Sequence, residues 1–300
     1  MDKFQLPPIN EKSSSVFNLK NKVELNEIVR QENSNPNIKL IELARNDVRD
    51  GTNTFLPYLK EIKVDINPTE GYKLLPRNEY YPTMLEKYFD TEYKENINLV
   101  KILAWRNDTV TQINNYIRAR LIDSQEMVAK GDVLTGYKSV IKEKNAMFIP
   151  IVKNSVTYLV TSVELIERVL FGETYKVYEV NVKDGELPMF ILHRESYITF
   201  ARECGERLQK AKAYRQWKPY YTFKDTFVLM EPIFDEYSVK LCDKDIDYGY
   251  AITVHKSQGS TYNNVGVTLA DLYVNFDEEV RRKLIYVAVS RTSKNNYFYV

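Results

Sequence analysis

Two short apolar segments, each followed at once by a polar turn, constrain the fold of this chain most strongly. Residues 99–104 lead through a polar tetrapeptide into a helix-spaced apolar pattern over 110–121. Residues 250–254 lead into a turn that contains Gly259 and several hydroxyl groups. A strand followed directly by a helix is the unit of a parallel α/β sheet. The sequence therefore predicts an α/β fold.

Composition narrows the possible functions. The chain has 300 residues, 44% of them hydrophobic, which is enough for one or two domains with real cores. Lys and Arg number 42 against 41 Asp and Glu, so any nucleic-acid binding requires a local basic patch. Cys204 and Cys242 stand apart without a metal-binding spacing, so no metal site is predicted. We expect a reduced, cytoplasmic protein, because no apolar run is long enough to span a bilayer.

The texture of the sequence changes along the chain. Short alternating strands from 126 to 200 predict a small β-barrel inserted into the α/β domain, and 201–244 predict a connecting helical segment. The α/β pattern returns over 245–300, with strands at 248–254, 265–269 and 297–300 and a helix at 277–289. Between 52 and 95 the prolines predict irregular structure with one short helix near 83–90.

The polar turn after 250–254 carries groups that suit phosphate binding. Thr253 and His255 can donate to DNA phosphates from the strand end, and Ser257 adds a further hydroxyl. Gln258, Gly259 and Ser260 offer polar contacts beside a nucleotide. A lone Arg291 ends the apolar helix that follows, and an arginine from a second element often completes a phosphate site. Arg291 taken alone is better explained as a helix C-terminal cation that satisfies the macrodipole.

These two segments closely resemble motifs V and VI of superfamily 1 helicases, in the branch of the exonuclease V alpha subunit (RecD) and the phage Dda helicase. The resemblance implies a RecA-like, P-loop NTPase-type second motor domain with an inserted SH3-like β-barrel subdomain. It implies that 253–261 lie between the DNA track and the ATP cleft, and that Arg291 reaches the γ-phosphate. In domain terms, it implies a stub of the first motor domain over 1–20 and the first part of domain 2A over 21–125. The barrel, the connecting segment and the second part of 2A then follow at 126–200, 201–244 and 245–300.

Three further segments extend the resemblance. Residues 2–8 read Asp-Lys-Phe-Gln-Leu-Pro-Pro and resemble motif III, which implies that Gln5 senses the γ-phosphate. Met1 stands where that pattern has Gly, which favours a reading frame opened at an internal methionine. Arg30 resembles the arginine of motif IV, also directed to the γ-phosphate. Trp105, Arg106 and Asn107 resemble a segment that touches the backbone of single-stranded DNA, although Asn107 is also a plausible helix cap.

The pattern Gly-x-x-x-x-Gly-Lys-Ser/Thr of the ATP-binding loop does not occur in the chain. The resemblance thus implies the C-terminal half of an ATP-dependent 5′ to 3′ DNA helicase, with a partner polypeptide or missing N-terminal domain carrying Walker A and B. ATP with Mg²⁺ would be its cofactor only in the complete motor. We expect the chain alone to lack ATPase activity. A phage origin, a host-cytoplasmic location and a role in DNA replication or repair are further expectations.

Two alternatives remain open. One is a non-enzymatic accessory module that binds single-stranded DNA, and the other is an unrelated α/β fold with coincidental motifs. An RNA substrate also fits the motif chemistry. Outside the motifs, Trp217, Tyr220 and Tyr221 could stack on bases or simply pack, and the basic run 202–215 could be a solvated helix face.

Overall fold

The chain forms two compact units in a computed structural model that describes residues 4–6, 31, 34–144 and 147–300. The first unit comprises Met1–Ile117 together with Tyr250–Val300, and the second comprises Arg118–Gly249. The first unit is therefore discontinuous in sequence, and the second is one uninterrupted stretch of sequence between the two parts of the first.

The helices and strands of the described residues have the following bounds. The helices are α1 (Asn37–Asp50), α2 (Phe55–Ile62), α3 (Arg77–Phe89), α4 (Thr91–Glu95), α5 (Asn107–Leu121), α6 (Tyr197–Tyr214), α7 (Lys218–Lys224), α8 (Leu269–Leu272) and α9 (Glu278–Val289), with a short 3₁₀ helix at Arg194–Ser196. The strands are β1 (Val64–Ile66), β2 (Gly71–Leu74), β3 (Val100–Ala104), β4 (Val133–Gly136), β5 (Val140–Lys144), β6 (Met147–Val152), β7 (Thr157–Leu170), β8 (Glu173–Val182), β9 (Met189–Leu192), β10 (Ile233–Phe234), β11 (Lys240–Cys242), β12 (Ile246–Tyr248), β13 (Ala251–Thr253), β14 (Tyr262–Thr268) and β15 (Thr292–Tyr299).

A six-stranded sheet organises the first unit, in the order β1-β2-β15-β14-β3-β13. Every neighbouring pair is parallel except β1 with β2. The expected α/β class with a parallel sheet is confirmed. Thr253 pairs with Ala104 in this register, so β3 and β13 end at the same, carboxyl edge of the sheet.

Helices cover both faces of this sheet. On one face α1 and α9 contribute to a continuous core through buried residues such as Leu40, Ile41 and Val287, packed on Val265 and Val267 of β14. The intervening Gly266 faces the other way, because side chains alternate along a strand. A Cβ there would lie 2.6 Å from Tyr80 Oη and 3.0 Å from Met84 Sδ, so α3 packs directly on the strand.

The second unit is built on an antiparallel sheet of order β12-β4-β7-β8-β9. Within the described part of the chain, β12 and β9 are edges, so these pairings do not close the barrel expected from the sequence. Helices α6 and α7 share a core with this sheet that includes Tyr175, Phe200, Phe223 and both cysteines. The Sγ atoms of Cys204 and Cys242 lie 3.7 Å apart as free thiols.

Two predictions about local structure were wrong. Residues 248–254 do not form one strand: β12 ends at Tyr248 in the second unit, and β13 begins at Ala251 in the first. Residues 52–95 are largely regular, with α2, β1, β2, α3 and α4. The prolines misled because Pro57 lies in the first turn of α2 and Pro76 is the N-cap of α3, positions where a missing N–H costs nothing.

Candidate functional site

The carboxyl ends of β3 and β13 bring two of the predicted segments together. The backbone N–H of Val254 donates to Ala104 O at 2.9 Å, which continues the pairing of the two strands into their turns. Trp105 and His255 are half-buried here, whereas Arg106 and Asn107 are exposed. Ligands of open parallel sheets bind outside this edge, so these side chains form a candidate nucleic-acid interface.

One buried carboxylate, Asp271 at the end of α8, fixes the turn after β3. Its Oδ2 accepts hydrogen bonds from the backbone N–H groups of Trp105 at 2.7 Å and Arg106 at 2.9 Å. Its Oδ1 accepts from Arg106 Nε at 2.6 Å and Thr109 Oγ1 at 2.7 Å. The Arg106 side chain is half exposed while that of Asp271 is only 2% exposed. The carboxylate therefore orients Arg106 and leaves part of its guanidinium facing solvent.

Sequence reasoning overlooked Asp271. The available signal was an acidic side chain within a few residues of a strand end, since β14 ends at Thr268 on the same edge of the sheet. A carboxylate that follows one parallel strand can reach the turn after its neighbour, because both turns lie at one edge.

The turn after β13 is held by its own hydroxyl groups. Ser257 Oγ donates to Val254 O at 2.7 Å and the residue is fully buried. Thr253 is also buried, and its Oγ1 accepts from Lys256 N at 3.3 Å. A buried hydroxyl whose hydrogen is used locally cannot donate to an external strand. The predicted DNA contact of Ser257 is thus replaced by a role in shaping the turn, and Thr253 presents little surface.

Residues 254–261 carry the chain from the carboxyl edge back to the amino edge of the sheet. Thr253 pairs with Ala104, and Leu103 pairs with Val267, so Thr253 is level with Thr268 in the sheet. Strand β14 begins six residues before Thr268, at Tyr262. At about 3.3 Å per residue, the segment returns over roughly 20 Å. Gly259, with φ +86, lies in this segment, where a left-handed backbone favours glycine. One continuous loop thereby links the candidate nucleic-acid interface to the opposite edge.

At the amino edge the loop meets Arg291. Tyr262 N donates to Arg291 O at 2.9 Å. Burial raises the pKa of Tyr262, and the hydrogen bond from Ser260 and the positive charge of Arg291 oppose that shift. Ser260, Tyr262 and Arg291 are therefore close neighbours.

Arg291 itself is not presented to solvent. Its exposed fraction is 0%, its Nε donates to Val287 O at 3.0 Å and its Nη2 donates to Ser290 Oγ at 2.8 Å. The bond to Val287 uses a carbonyl at the C-terminal end of α9, where a cation is favoured by the helix dipole. The sequence pattern indicated an outward arginine, and the structure places it inward. Reaching a phosphate requires the side chain to leave these partners.

Residues 4–6 and Gln31 approach the same place. Gln258 Nε2 donates to Leu6 O at 3.1 Å, and the ring of Phe4 packs edge-on against Tyr286 of α9 with centroids 6.5 Å apart. Gln5, half-buried, lies between these two contacts. Arg30 lies outside the described residues. Its neighbour Gln31 is buried and donates through Nε2 to Thr292 O, one residue after Arg291.

Two titratable groups in this region are perturbed by burial. Lys101 on β3 is fully buried, its Nζ lies 5.6 Å from the centre of the Tyr262 ring, and burial lowers its pKa to about 7. Burial also lowers the pKa of His255, which favours the neutral imidazole. Lys101 lies within the apolar run 99–104, and the sequence alone did not indicate that its side chain would be buried.

The donors that could approach a nucleotide are those of Gln258, Gly259, Ser260 and Arg291, all suited to phosphate or sugar oxygens and none to a metal ion. Within the described ranges, no group of three or more His, Cys, Asp or Glu side chains is placed to hold a metal. No described helix has both the length and the apolar character needed to cross a membrane.

Comparison with known proteins finds a family similarity in the C-terminal part of the chain. Residues 248–299 match the family of the UvrD-like helicase C-terminal domain. This stretch contains β13, the loop 254–261, α9 and β15, and so includes both segments that meet at Arg291. The C-terminal part of the chain thus resembles a helicase C-terminal domain.

Particular relatives add a viral and a structural similarity. The whole chain is 26% identical to "Uncharacterized protein R530" of Acanthamoeba polyphaga mimivirus, over 68% of that protein. Among solved structures, Pif1 helicase from Candida albicans is 14% identical, with a TM-score of 0.48, 99% of this chain and 62% of that chain covered. Pif1 helicase from Bacteroides in complex with ADP-AlF3 and ssDNA is 16% identical, with a TM-score of 0.42, 99% of this chain and 60% of that chain covered. The chain thus spans about three fifths of these helicases, and neither structural similarity is strong enough to carry a function to it.

Proposed function

We propose that this chain is the second motor domain, the C-terminal half, of an ATP-dependent superfamily 1 DNA helicase of 5′ to 3′ polarity. It binds single-stranded DNA at the carboxyl edge of its sheet and supplies arginines to an ATP site. Walker A and B belong to a first motor domain on other residues. We propose DNA replication or repair in the host cytoplasm as its setting, and residues 126–200 of the second unit as the family's inserted SH3-like subdomain.

The observation that supports this proposal is the loop 254–261. It starts beside Arg106 and His255 at one edge and finishes beside Arg291 at the other, roughly 20 Å away by strand rise. In between, Gln258 bonds to Leu6, from the segment that resembles motif III. A motor needs such a connection, because occupancy of the nucleotide site must alter the grip on DNA.

The residues divide the work accordingly. Arg106, which Asp271 orients, and the exposed Asn107 bind the backbone of the DNA strand at the carboxyl edge of the sheet. Ser260 and Gln258 lie towards the nucleotide, and Arg291 swings out to stabilise charge on the terminal phosphate when the two motor domains close. ATP with Mg²⁺ supplies the phosphoryl group for transfer.

Reconstitution tests the proposal. The purified chain is mixed with a candidate first motor domain that carries Walker A and B, and phosphate release is measured with and without oligo(dT). We expect no hydrolysis from the chain alone and DNA-stimulated hydrolysis from the pair. Hydrolysis by the chain alone that disappears in Arg291→Ala would sink the idea of a divided site.

Variants in and just after α9 sharpen this test. Arg291→Lys keeps the buried charge but loses the guanidinium, and we expect it to reduce stimulated hydrolysis by about 10³-fold, the scale of an arginine finger. Arg282→Ala is the matched control, because Arg282 lies on the helix that precedes Arg291 and pairs only with the exposed Glu278 in the described structure. Thermal melting of each variant separates loss of chemistry from loss of folding.

The accessory module that binds single-stranded DNA without hydrolysis is a second candidate. The 0% exposure of Arg291 and its bonds to Val287 and Ser290 favour it, because they hold the guanidinium inside the protein. Under that function, Arg291→Lys lowers stability only, and no first motor domain restores hydrolysis while DNA binding is retained.

A further inference from the structure

The second unit exposes a group of aromatic and basic side chains where α6 gives way to α7. We call it the aromatic–basic surface and define it by Tyr214, Arg215, Trp217, Lys218 and Tyr221. Tyr214 is 72% exposed, Tyr221 50% and Trp217 41%. Single exposed apolar residues are ordinary, but three large rings within eight residues call for a partner.

Two of the rings are close neighbours at a moderate tilt, and we call this pair the platform. The centroids of Trp217 and Tyr221 lie 6.1 Å apart and their planes differ by 30°. They are joined by the first turn of α7, where Tyr221 N donates to Trp217 O at 3.1 Å. Rings in this arrangement present faces and edges to solvent that suit planar, π-bearing ligands.

The platform rests on a rigid base. Phe223 of α7 is fully buried and stacks on Phe200 of α6 at 5.0 Å with planes 19° apart. Tyr220 is buried between the exposed rings and packs edge-on against both. Because the neighbours on α7 are locked in the core, the exposed rings are ordered before any ligand arrives, which lowers the entropy lost on binding.

The charged residues that flank the rings in the sequence are all cations. Residues 208–224 contain five cations (Lys210, Lys212, Arg215, Lys218 and Lys224) and no carboxylate. Within the described part of the chain, the first four form no ion pair. On α9, by contrast, Arg282 and Lys283 pair with Glu278 and Glu279. A local positive field in a chain of net charge +1 marks an anion-binding region.

We propose that the aromatic–basic surface binds single-stranded nucleic acid, with bases stacked on Trp217 and Tyr221 and phosphates held by Arg215 and Lys218. It rests on the proposed function, and it adds a contact on the second unit to the one at the sheet edge. Aromatic rings on which bases stack, combined with cations that bind phosphates, are the arrangement that binds single strands without sequence preference. An acidic protein would gain from the cations but not from paired ring faces.

Fluorescence gives a direct test, because Trp217 is one of only two tryptophans in the chain. In a Trp105→Phe background it is the only indole. We expect saturable quenching of its emission by oligo(dT) and by oligo(rU), since a stacked base quenches the indole. Oligo(dT) that binds without changing this emission would overturn the proposal.

Affinity variants separate rings from charge. The double substitution Trp217→Ala with Tyr221→Ala should weaken oligo(dT) binding about tenfold or more, the scale of removing one or two stacked bases. Tyr237→Ala is the matched control, an aromatic 78% exposed in the same unit but flanked by Asp235 and Glu236. We expect that variant to bind like the wild type. Equal affinity of the double variant and the wild type would refute the stacking role.

The charge arm uses a conformational feature of Arg215. Its φ of +55 is left-handed, a conformation that glycine adopts freely. Arg215→Gly therefore removes a cation while relieving backbone strain, so we expect unchanged or higher thermal stability with weaker binding. Together with Lys218→Gln, it should lower the slope of log affinity against log salt by about 0.7 for each phosphate that is no longer neutralised. An unchanged salt slope would exclude these two cations.

The outcomes distinguish this inference from the motor proposal. If ATPase is reconstituted and the ring variants bind normally, the aromatic–basic surface fails and the motor stands. If ring variants lose binding and no first motor domain restores ATPase, the surface stands and the motor fails. The inference would be overturned if poly-glutamate competed with oligo(dT) for the surface at equal affinity and lost that affinity in the ring variants. That result would assign the surface to an acidic protein.

Discussion

Asp271 shows how much one side chain can organise. Its carboxylate accepts four hydrogen bonds from the turn after β3, two from backbone N–H groups and two from side chains. An ionised acceptor makes stronger bonds than a neutral one, and a buried donor left without its partner is expensive. The orientation of Arg106 therefore depends on a residue 165 positions further along the chain.

Asp271→Asn tests this dependence. The amide keeps the shape but offers an NH₂ group to donors, so we expect the free energy of unfolding in urea to fall by about 2–4 kcal/mol. Oligo(dT) affinity should fall with it, because Arg106 loses its anchor. Asp108→Asn, an exposed carboxylate on the adjacent α5, should change stability by about 0.5 kcal/mol or less. A similar small effect in Asp271→Asn would contradict the assigned role.

Lys101 gives a pH dependence of defined sign. Its pKa is about 7 in the folded protein and about 10.4 in an unfolded chain, so folding between these values releases a proton. The unfolding free energy contributed by Lys101 therefore rises as pH increases from 7 to 10 and is lowest below 7. Lys101→Met removes the charge while keeping an unbranched side chain. We expect it to be more stable than the wild type at pH 6.5, by a margin that shrinks towards pH 10. Chemical denaturation across this range measures the margin, and a constant margin would disprove the buried-ammonium explanation.

At the scale of elements, glycines show where the path of the chain is fixed by close approach. A Cβ on Gly249, between β12 and β13, would lie 2.3 Å from Thr135 Oγ1 and 3.1 Å from Leu134 C. Gly205 lies inside α6 with no atom within 4 Å of such a Cβ. The two positions thus differ in space, although both are glycines of the second unit.

These positions predict substitutions of opposite sign. Gly249→Ala must displace backbone and should lower the unfolding free energy of the second unit by about 1–3 kcal/mol. Gly205→Ala should raise it by about 0.5–1 kcal/mol, because alanine loses less conformational entropy in a helix. Both values come from the same urea titration. Equal effects of the two substitutions would show that the approach at Gly249 is not as close as the structure has it.

Sequence reasoning succeeded where local patterns decide structure. The predicted helix 277–289 is α9, capped by Asp277. It failed at 248–254, because a run of strand-forming residues cannot reveal that its halves pair with different partners. It also could not show that Arg291 and Ser257 are buried, since a periodic pattern does not reveal how a turn folds back on the preceding helix or strand.

At the scale of the whole molecule, the second unit contains what it needs to fold. Arg118 at its start bonds to Asp132 at 2.9 Å and lies over the Tyr248 ring at 4.9 Å, and Gly249 N donates to Val133 O at 2.7 Å. Its two ends are therefore tied to one another within the unit. The first unit differs, because β3 is flanked by β13 and β14 from the far side of the intervening 132-residue stretch Arg118–Gly249.

Excision tests this difference. We expect a fragment of residues 118–249 to unfold cooperatively in urea, with the near-ultraviolet circular dichroism of a packed core, and 1–117 to remain unfolded by itself. Arg118→Ala in the fragment should lower its stability, since it removes the bonds that close the ends. A fragment 118–249 without a cooperative transition would show that the second unit depends on the first.

The split of the first unit has a consequence for biosynthesis. As the polypeptide leaves the ribosome, β3 emerges with both of its future neighbours untranslated, an apolar strand with unsatisfied edges. The intervening stretch is complete much earlier and can adopt its native form during translation. Nascent chains stalled when residue 249 has left the exit tunnel, with β13 and β14 still inside it, should therefore be protease-resistant over 118–249 and still recruit chaperones to 99–104.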